Sequence, residues 1–412
     1  MFELAVLGSW AEFAIRWLHV ITAIAWIGSS FYFIALDLGL RRAPGMPAGA
    51  HGEEWQVHGG GFYHIQKYLV APERLPDHLT WFKWESYATW LSGFALMAVI
   101  YYAGAEFYLI DPARADLAVW QAVLVSVASL GVGWLIYDRL CKSAFGADNN
   151  RLMVLLFVLL VAAAWGYAQV FTGRAAMLHL GALTATIMSA NVFFIIIPNQ
   201  KIVVADLRAG RTPDAKYGVI AKQRSTHNNY LTLPVIFLML SNHYPLSFGT
   251  DHIWAIAALV FLMGVTIRHF FNTMHAGGGY RWWTWAATVL LFLGAVWVST
   301  LGQPAAAEDD DDLAALTPAA ARFAQDPAFE DVYWTVVGHC SMCHAREPGW
   351  PGLHWAPGGV ALETEAQVAR AARTIYLQSG RSHAMPPPAT VVMHAQDRAL
   401  ISDWYRRAAA AR

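Results

Sequence analysis

Two cysteines and a histidine near the end of the chain have the spacing of a covalent attachment site for an iron cofactor. Cys340, Cys343 and His344 form C-x-x-C-H within VVGHCSMCHAREPGW, residues 336–350. This spacing is the attachment sequence of a c-type haem, whose iron the histidine binds. A zinc site is disfavoured because Cys141 is the only other cysteine, so no second cysteine pair exists. The sequence therefore predicts covalently bound haem c with His344 as an iron ligand.

The iron needs a second ligand on its other face. In SHAMPPPATVVM, residues 382–393, Met385 precedes three prolines, which restrict the backbone and would hold the sulfur in place. A methionine thioether raises the reduction potential, which suits an electron acceptor. We predict Met385 as the second ligand, with Met393 and His383 as the rival candidates.

The chain around the motif has the layout of a small, all-α cytochrome c domain, residues 318–412. Helices are predicted in FEDVYWTVVGHCSMCH, in EAQVARAARTIYLQSG, which ends at Gly380, and in QDRALISDWYRRAAAA. The stretch before this domain, residues 302–317, is rich in Ala, Pro and Asp and includes four consecutive aspartates. Such composition is typical of a solvated linker.

Residues 1–301 have the composition of an integral membrane domain. The whole chain is 57% hydrophobic and 14% charged, whereas soluble proteins contain about 25% charged residues. The deficit of charge lies before residue 305, so a lipid bilayer is the predicted surrounding of this part. A net charge of −1 and the lack of a basic arm exclude nucleic acid as an electrostatic partner.

Eight stretches are long and apolar enough, or nearly so, to span a bilayer, which takes about 20 residues. They are residues 11–36, 87–105, 117–137, 152–172, 177–197, 229–243, 253–271 and 284–301. The sixth contains Pro234, which membrane helices tolerate. The predicted fold is a polytopic, all-α membrane bundle of about eight helices followed by the all-α cytochrome domain.

Lysine and arginine are concentrated in the odd-numbered loops between these stretches. The opposite loops contain only Arg114 and Arg174. By the positive-inside rule the odd-numbered loops are cytoplasmic, so both termini and the cytochrome domain should face the periplasm. Bacteria attach haem to C-x-x-C-H thiols outside the cytoplasmic membrane, which predicts the same orientation in a bacterial inner membrane.

Histidines inside the predicted spans are candidates for function, because polar residues there are expensive. His19 lies in the first span, and His179 opens the fifth. Helical spacing places one set of first-span residues on a single face that should point into the bundle: Arg16, His19, Ala23, Trp26, Ser30, Phe33 and Asp37. His19 and His179 are either hydrogen-bonded core residues or ligands of a membrane haem b, for which they are our preferred pair. A ladder of two haems on spans six and seven is disfavoured, because His227 and His243 lie on nearly opposite faces of a helix.

Two polar clusters occur in the predicted cytoplasmic loops. HGGG, residues 58–61, occurs in oxyanion holes, but the chain lacks a G-x-S-x-G elbow. We therefore interpret its glycines as allowing the backbone to approach a ligand or another helix. The second cluster, KQRSTHNNYLTLP at the mouth of span six, is rich in donors that suit a flat, anionic ligand. A positively charged loop with helix caps explains the second cluster equally well.

Several separate segments, in order, resemble the PuuD-type membrane urate hydroxylases. They are RWLHVITAIAWIGSSFYF, HGGGFYHIQKYLVAPERLPDHLTWFKWESYATWLSGF, HLGALTATIMSANVFFIIIPNQK, QRSTHNNYLTLPVIFLMLSNHYP and the terminal C-S-M-C-H. The resemblance runs over nearly the whole chain. It implies an eight-helix membrane domain with a periplasmic cytochrome c that oxidises urate to 5-hydroxyisourate in purine catabolism. Electrons would pass to the respiratory chain, through a soluble cytochrome c or a terminal oxidase, rather than directly to oxygen.

Urate oxidation requires an anion-binding pocket, a proton acceptor and a nearby electron sink. We predict His227, Arg224 and Asn228 as the catalytic residues. If urate enters from the cytoplasm, electrons must cross about 30 Å of hydrocarbon, which favours either the haem b or a substrate site near the periplasmic face. Two other functions remain open: an electron-transfer subunit that anchors cytochrome c to a partner oxidase, and a protein that handles or transports haem.

Overall fold

The computed structural model describes residues 4–68, 75–111, 114–301, 311–350, 353, 356–387 and 391–411. Its N-terminal part contains the helices α1 Leu4–Gly39, α2 Trp84–Met97, α3 Ala105–Tyr108, α4 Val119–Lys142, α5 Asn149–Val170, α6 Gly173–Ala190, α7 Ile197–Arg208, α8 Ala215–Ser241, α9 Ile253–His275 and α10 Trp283–Ser299. π-helical turns extend α2 through Ala98–Tyr102 and join α6 to α7 through Asn191–Ile196. The prediction of a mostly helical chain is confirmed.

Among the described residues, five helical segments are long and apolar enough to cross a membrane. They are Val6–Gly39, Val119–Lys142, Asn149–Val170, Gly173–Arg208 and Ile253–His275. The helix α10 is apolar but shorter. Each of the eight predicted spans coincides with a helix, and the crossing of a membrane by all eight remains a prediction.

The helix α8 begins well before the span predicted for it. Its first residue is Ala215, after Asp214, whose side chain accepts a hydrogen bond from the Lys216 amide (2.9 Å). Lys222 and Arg224 lower the hydropathy of the first half of α8, so the sequence predicted a loop there. The prediction of a loop is wrong, because the predicted catalytic residues lie inside a continuous helix.

A β-hairpin between α1 and α2 is an element that the all-α prediction lacked. Strands Ala50–His58 (β1) and Gly61–Tyr68 (β2) pair antiparallel. Gly59 and Gly60 have φ of 60° and 81° and form the two-residue turn, as a type I′ turn requires. A Cβ built on either glycine meets no atom within 4 Å. No described helix approaches these two glycines, so that part of the prediction is wrong, and the turn explains their positive φ values. The approach of a ligand stays a prediction.

The hairpin rests on the end of α1. The Tyr32 hydroxyl donates to Gln56 Oε1 (2.7 Å), and Lys67 forms an ion pair with Asp37. On the inward face predicted for α1, Trp26 packs against the apolar core and His19 contacts α2, whereas Phe33 is 38% exposed. The predicted face therefore points inward over only part of its length.

The helices α8 and α9 approach each other closely where Pro234 faces Gly264. A Cβ built on Gly264 would lie 2.5 Å from Pro234 Cδ and 2.6 Å from its Cγ. The pyrrolidine ring belongs to the backbone and cannot rotate away, so this contact needs a glycine. Pro234 is thus tolerated inside α8 with its ring packed on the neighbouring helix.

The described C-terminal part forms a separate small helical unit with its own core. Its helices are α11 Pro318–Ala324, α12 Phe329–Cys340, α13 Glu365–Arg370, α14 Ala372–Ile375 and α15 Ala395–Ala410, and a π-helical turn, Tyr376–Gly380, follows α14. Trp404 is fully buried, and its Nε1 donates to the Phe323 carbonyl (2.9 Å). Helices lie in all three predicted segments, but the second segment is divided at Ala371 into α13 and α14 and ends in the π-helical turn. Of the predicted linker, residues 302–310 lie outside the described residues.

Replacing Gly264 with alanine should destabilise the N-terminal helical domain by about 1–3 kcal/mol, because the new methyl group overlaps the Pro234 ring. The measurement is the unfolding midpoint of the purified protein in detergent. Gly166→Ala in α5 is the control, since a Cβ there meets nothing within 4 Å. An unchanged midpoint for Gly264→Ala would contradict the close contact.

Candidate functional site

A buried polar network joins α4, the π-helical turn after α6, and α8. Each member is at most 6% exposed: Tyr137, Asp138, Asn191, Arg224, His227 and Asn228. The three predicted catalytic residues are spaced i, i+3 and i+4 on α8, so they share one face of that helix. The structure therefore brings all three together.

Arg224 is fixed by a buried ion pair and by an aromatic ring. Its Nη2 lies 2.8 Å from Asp138 Oδ1, and its Nη1 donates to Asn191 Oδ1 (3.2 Å). Its guanidinium carbon lies 4.9 Å from the centre of the Tyr137 ring. Asp138 pairs with Arg224 through Oδ1 and with the exposed Lys142 through Oδ2 (2.6 Å), so the buried guanidinium is held by a carboxylate that it shares with a surface lysine.

The hydrogen bond with Tyr137 decides which nitrogen of the His227 ring carries the proton. The Tyr137 hydroxyl lies 2.7 Å from His227 Nδ1, and Asn191 Nδ2 donates to the same phenol oxygen (3.0 Å). Because Asn191 already donates to this oxygen, we assign the phenol proton to the bond with Nδ1. The neutral imidazole then carries its own proton on Nε2.

Two donors of the network are left over. Arg224 Nε and His227 Nε2 are both buried and have no hydrogen-bond partner among the described residues. A buried N–H without a partner costs about 1–3 kcal/mol, and both atoms belong to the same face of α8. The pair is suited to acceptor oxygen or nitrogen atoms of a bound ligand.

The side-chain amides of Asn191 and Asn228 connect the π-helical turn after α6 to α8. Asn191 Nδ2 lies 3.0 Å from Asn228 Oδ1, and Asn228 Nδ2 donates to the Met188 carbonyl (3.0 Å). Asn191 is the first residue of the π-helical turn, a feature that often marks functional sites. Sequence reasoning missed Asn191, although an amide within the apolar run ATIMSANVFFIII was an available signal.

Sequence reasoning also missed Tyr137 and Asp138 near the end of α4. Their partners in the network are on the π-helical turn after α6 and on α8, and periodicity within α4 does not reveal them.

The network lies near the middle of α8 rather than at its mouth. At a rise of 1.5 Å per residue, His227 is about 18 Å from Ala215 and about 21 Å from Ser241 along the axis. The network therefore lies midway along α8 but near the C-terminal end of α4, and it stays at the start of the predicted span six.

His179 does not fit an iron ligand in this arrangement. Its Nδ1 donates to the Ala175 carbonyl (2.8 Å) and its Nε2 accepts from the Ser126 hydroxyl (2.7 Å), so neither ring nitrogen is free. Its ring contacts Phe171 and Tyr167 at centroid distances of 4.8 and 5.8 Å. These contacts are those of a hydrogen-bonded core histidine.

His19 contacts α2 instead of His179. Its Nδ1 lies 3.0 Å from the Thr89 carbonyl and 3.2 Å from Ser92 Oγ, and a Cβ on Gly93 would lie 2.7 Å from its Cε1. The haem b predicted on His19 and His179 therefore does not fit the residues as they are arranged.

The C-x-x-C-H residues fit covalent haem c. Cys340 ends α12 and is buried, and burial raises the pKa of its thiol to about 11. The Cys343 thiol is half-buried, and neither thiol forms a disulfide. His344 Nδ1 donates to the Val360 carbonyl (2.8 Å), which orients the ring and leaves Nε2 for iron.

The two methionine candidates have different surroundings. The backbone of Met385 is fixed at both polar atoms, since its amide donates to the Gln378 carbonyl (2.9 Å) and its carbonyl accepts from Arg398 (2.9 Å). The Met385 side chain is half-buried, whereas Met393 is 8% exposed and belongs to the core cluster that contains Cys340. His383 is exposed. Met385 stays our prediction for the second ligand.

Replacing Asp138 with asparagine should lower the free energy of unfolding by about 3–5 kcal/mol, because it leaves the buried Arg224 charge without its partner. Titration with SDS in mixed micelles measures this loss. Asp214→Asn is the control, since that pair with Lys216 is exposed and asparagine also caps a helix. Equal midpoints for the two variants would contradict a buried, structural ion pair.

Replacing both Cys340 and Cys343 with serine should abolish covalent haem, because the two thiols that would attach it are lost. A pyridine haemochrome spectrum measures this loss. The same spectrum of the wild-type protein should contain a c-type signal alone, because His179 has no free nitrogen.

Met385→Ala should lower the haem reduction potential by on the order of 100 mV, because the thioether ligand that raises the potential is lost. Axial ligands as a whole shift haem potentials over about 0.8 V. Met393→Ala should destabilise the C-terminal core and leave the potential near that of the wild type. The reverse pattern would make Met393 the ligand.

A family model described as Urate oxidase N-terminal matches residues 5–299. The matched part contains α1 to α10 and the whole network around His227, whereas C-x-x-C-H lies beyond it. Comparisons with curated proteins and with solved structures gave no match. The family indicates a urate-related oxidase. Because the match covers well over half of the 412 residues, the chain belongs to the urate oxidase N-terminal family.

Proposed function

We propose that this protein is a membrane-bound urate hydroxylase that oxidises urate to 5-hydroxyisourate and delivers the electrons to haem c in its C-terminal domain. The proposal rests on one observation above all: the matched family region holds a buried network with two unpartnered donors, Arg224 Nε and His227 Nε2. The resemblance to the PuuD-type enzymes and the C-x-x-C-H motif support the electron acceptor.

The reaction defines what the network must do. Urate and one water molecule together lose two electrons and two protons, and one C–O bond forms at the oxidised ring carbon. Urate is a planar anion with carbonyl oxygens and ring nitrogens. The N–H groups of Arg224 and His227 can donate to such acceptors, and their rigid positions orient the ring.

His227 can also take up a proton. The Tyr137 oxygen can either donate to Nδ1 or accept from it, so the ring proton can reside on Nδ1 while Nε2 becomes an acceptor. In that form Nε2 accepts a proton from the attacking water as a general base. Asn191 donates to the Tyr137 oxygen in both forms and keeps the phenol in place.

The electrons leave toward the C-terminal domain. When bound at Cys340 and Cys343, haem accepts one electron at a time, so urate oxidation takes two successive transfers. Because His227 lies near the middle of α8, the path along the helix to Ser241 is about 21 Å rather than the full about 30 Å of a hydrocarbon core. A soluble cytochrome c or a terminal oxidase would accept the electrons next.

The test is anaerobic reduction of the haem by urate, using purified protein in detergent. His227→Gln should slow this reduction by about 100-fold or more, the usual contribution of a general base. Arg281→Gln is the control because Arg281 is exposed, and dithionite should reduce the haem in every variant.

Reduction of the wild-type haem by a quinol but not by urate would overturn the proposed function and favour an electron-transfer subunit. Wild-type rates in His227→Gln would remove His227 from the proposed site and leave the function standing.

A further inference from the structure

A second buried arginine lies on the other side of α8. Arg268 of α9 is 6% exposed, and no carboxylate forms an ion pair with it in the part of the chain that the structure describes. Arg224, by contrast, is paired with Asp138. On α8, Asn229 contacts Arg268 and is about 200° around the helix from His227, so the two arginines serve opposite faces.

All the hydrogen-bond partners of Arg268 are neutral amides. Its Nε donates to Asn229 Oδ1 (3.3 Å) and its Nη2 to Asn272 Oδ1 (3.0 Å). Asn272 Nδ2 donates to the same Asn229 oxygen (3.0 Å). The amides fix the guanidinium and leave its positive charge uncompensated.

Two further groups beside Arg268 could contact a bound ligand. Asn229 is 1% exposed, and its Nδ2 is buried with no hydrogen-bond partner among the described residues. The Arg268 guanidinium carbon lies 4.2 Å from the centre of the Phe31 ring on α1. An orphaned amide donor and an aromatic ring thus lie next to the uncompensated cation.

A buried charge without a counter-ion is destabilising, and an anionic ligand would offset this loss. Arginine presents a planar fork of donors and stacks on flat groups. With the free Asn229 amide beside it, the cluster suits a planar monoanion that carries acceptor atoms around its edge. A metal cation or a neutral lipid chain would leave the charge uncompensated.

We propose that Arg268, Asn229, Asn272 and Phe31 form an anion-binding subsite for an oxopurine monoanion between α1, α8 and α9. The choice of urate as ligand rests on the proposed function. Arg268 is seven residues before His275, about 10 Å from the end of α9. This end is the cytoplasmic one in the predicted topology. Because Asn229 is only two residues from His227 on α8, the subsite lies at about the same depth as the network around His227, on the opposite face of the helix.

Equilibrium binding of urate to the full-length protein tests the subsite, using the His227→Gln background to prevent turnover. Arg268→Gln should weaken urate binding by about 10- to 100-fold, the usual effect of losing a hydrogen bond to a charged group. Binding of neutral hypoxanthine should change little. Arg281→Gln again serves as the control. In the active protein, Arg268→Gln should raise KM far more than it lowers kcat.

Asn229→Asp is the second variant, because it places a carboxylate beside Arg268 without removing the arginine. We expect the thermal midpoint to hold or rise while urate affinity falls at least tenfold, since the new carboxylate takes the position of the anion. A purely structural role for Arg268 would raise the midpoint and leave urate affinity unchanged, which would overturn the subsite.

The outcomes separate this subsite from the proposed function. Urate binding that depends on Arg268, without haem reduction in the wild type, would overturn the function and support the subsite. Haem reduction with an unchanged KM in Arg268→Gln would overturn the subsite and support the function. If the wild-type protein neither binds nor oxidises urate, both are wrong.

Discussion

The ion pair between Arg224 and Asp138 is the interaction on which the rest of the N-terminal helical domain depends. A charge inside an apolar bundle is tolerated only when it is paired and hydrogen-bonded, since an unpaired ion costs several kcal/mol. Arg224 meets this condition through Asp138, Asn191 and the Tyr137 ring. The pair thereby allows α8 to carry its polar residues through the centre of the bundle. The same residues hold His227 in position, because Tyr137 hydrogen-bonds to His227 and Asn191 donates to the Tyr137 oxygen.

The π-helical turn at Asn191 and the glycine at Gly264 supply the space that this arrangement needs. A π-helical turn holds more residues per turn than an α-helix, and the turn that Asn191 opens directs its amide toward both Tyr137 and Asn228. On the opposite face of α8, Gly264 lets α9 approach Pro234 closely. The same two helices then hold Asn229 against Arg268 (3.3 Å). Helix packing on both faces of α8 therefore sets the geometry of both polar clusters.

Much of the helical fold and the α8 half of the candidate site could be predicted from the sequence. Hydropathy located a helix at each predicted span, and the i, i+3, i+4 spacing of Arg224, His227 and Asn228 placed them together. Tyr137, Asp138 and Asn191 were missed because their partners lie on other helices, and the period of one helix carries no information about which neighbour it faces. The start of α8 was missed because its charged residues lower hydropathy while remaining compatible with a helix that is paired inside the bundle.

The β-hairpin was missed for a different reason. Its strands carry mixed polar and aromatic residues, and the triple glycine was interpreted as a site of close approach rather than as a turn. Gly59 and Gly60 have positive φ values, and this conformation matches the right-handed twist of a two-stranded hairpin. The backbone requirement of the turn therefore explains these glycines without a ligand.

The packing of α1, α8 and α9 places the two buried arginines at a similar depth on opposite faces of α8. Arg268 contacts Phe31, and Arg41 donates to the His275 carbonyl (3.0 Å), so α1 and α9 end on the same side of the bundle. Gly8, at the other end of α1, lies near Arg373 of the C-terminal domain, whose guanidinium would be 3.7 Å from a Cβ there. Since α8 runs antiparallel to α9, Ser241 lies at that same end. His227 and Asn229 are two residues apart on α8, so an anion held at Arg268 would lie level with His227, across the helix from it and about 18 Å from Ser241 along the axis. The charge of such an anion would meet the arginine whose hydrogen-bond partners are amides, while Arg224 stays paired with Asp138.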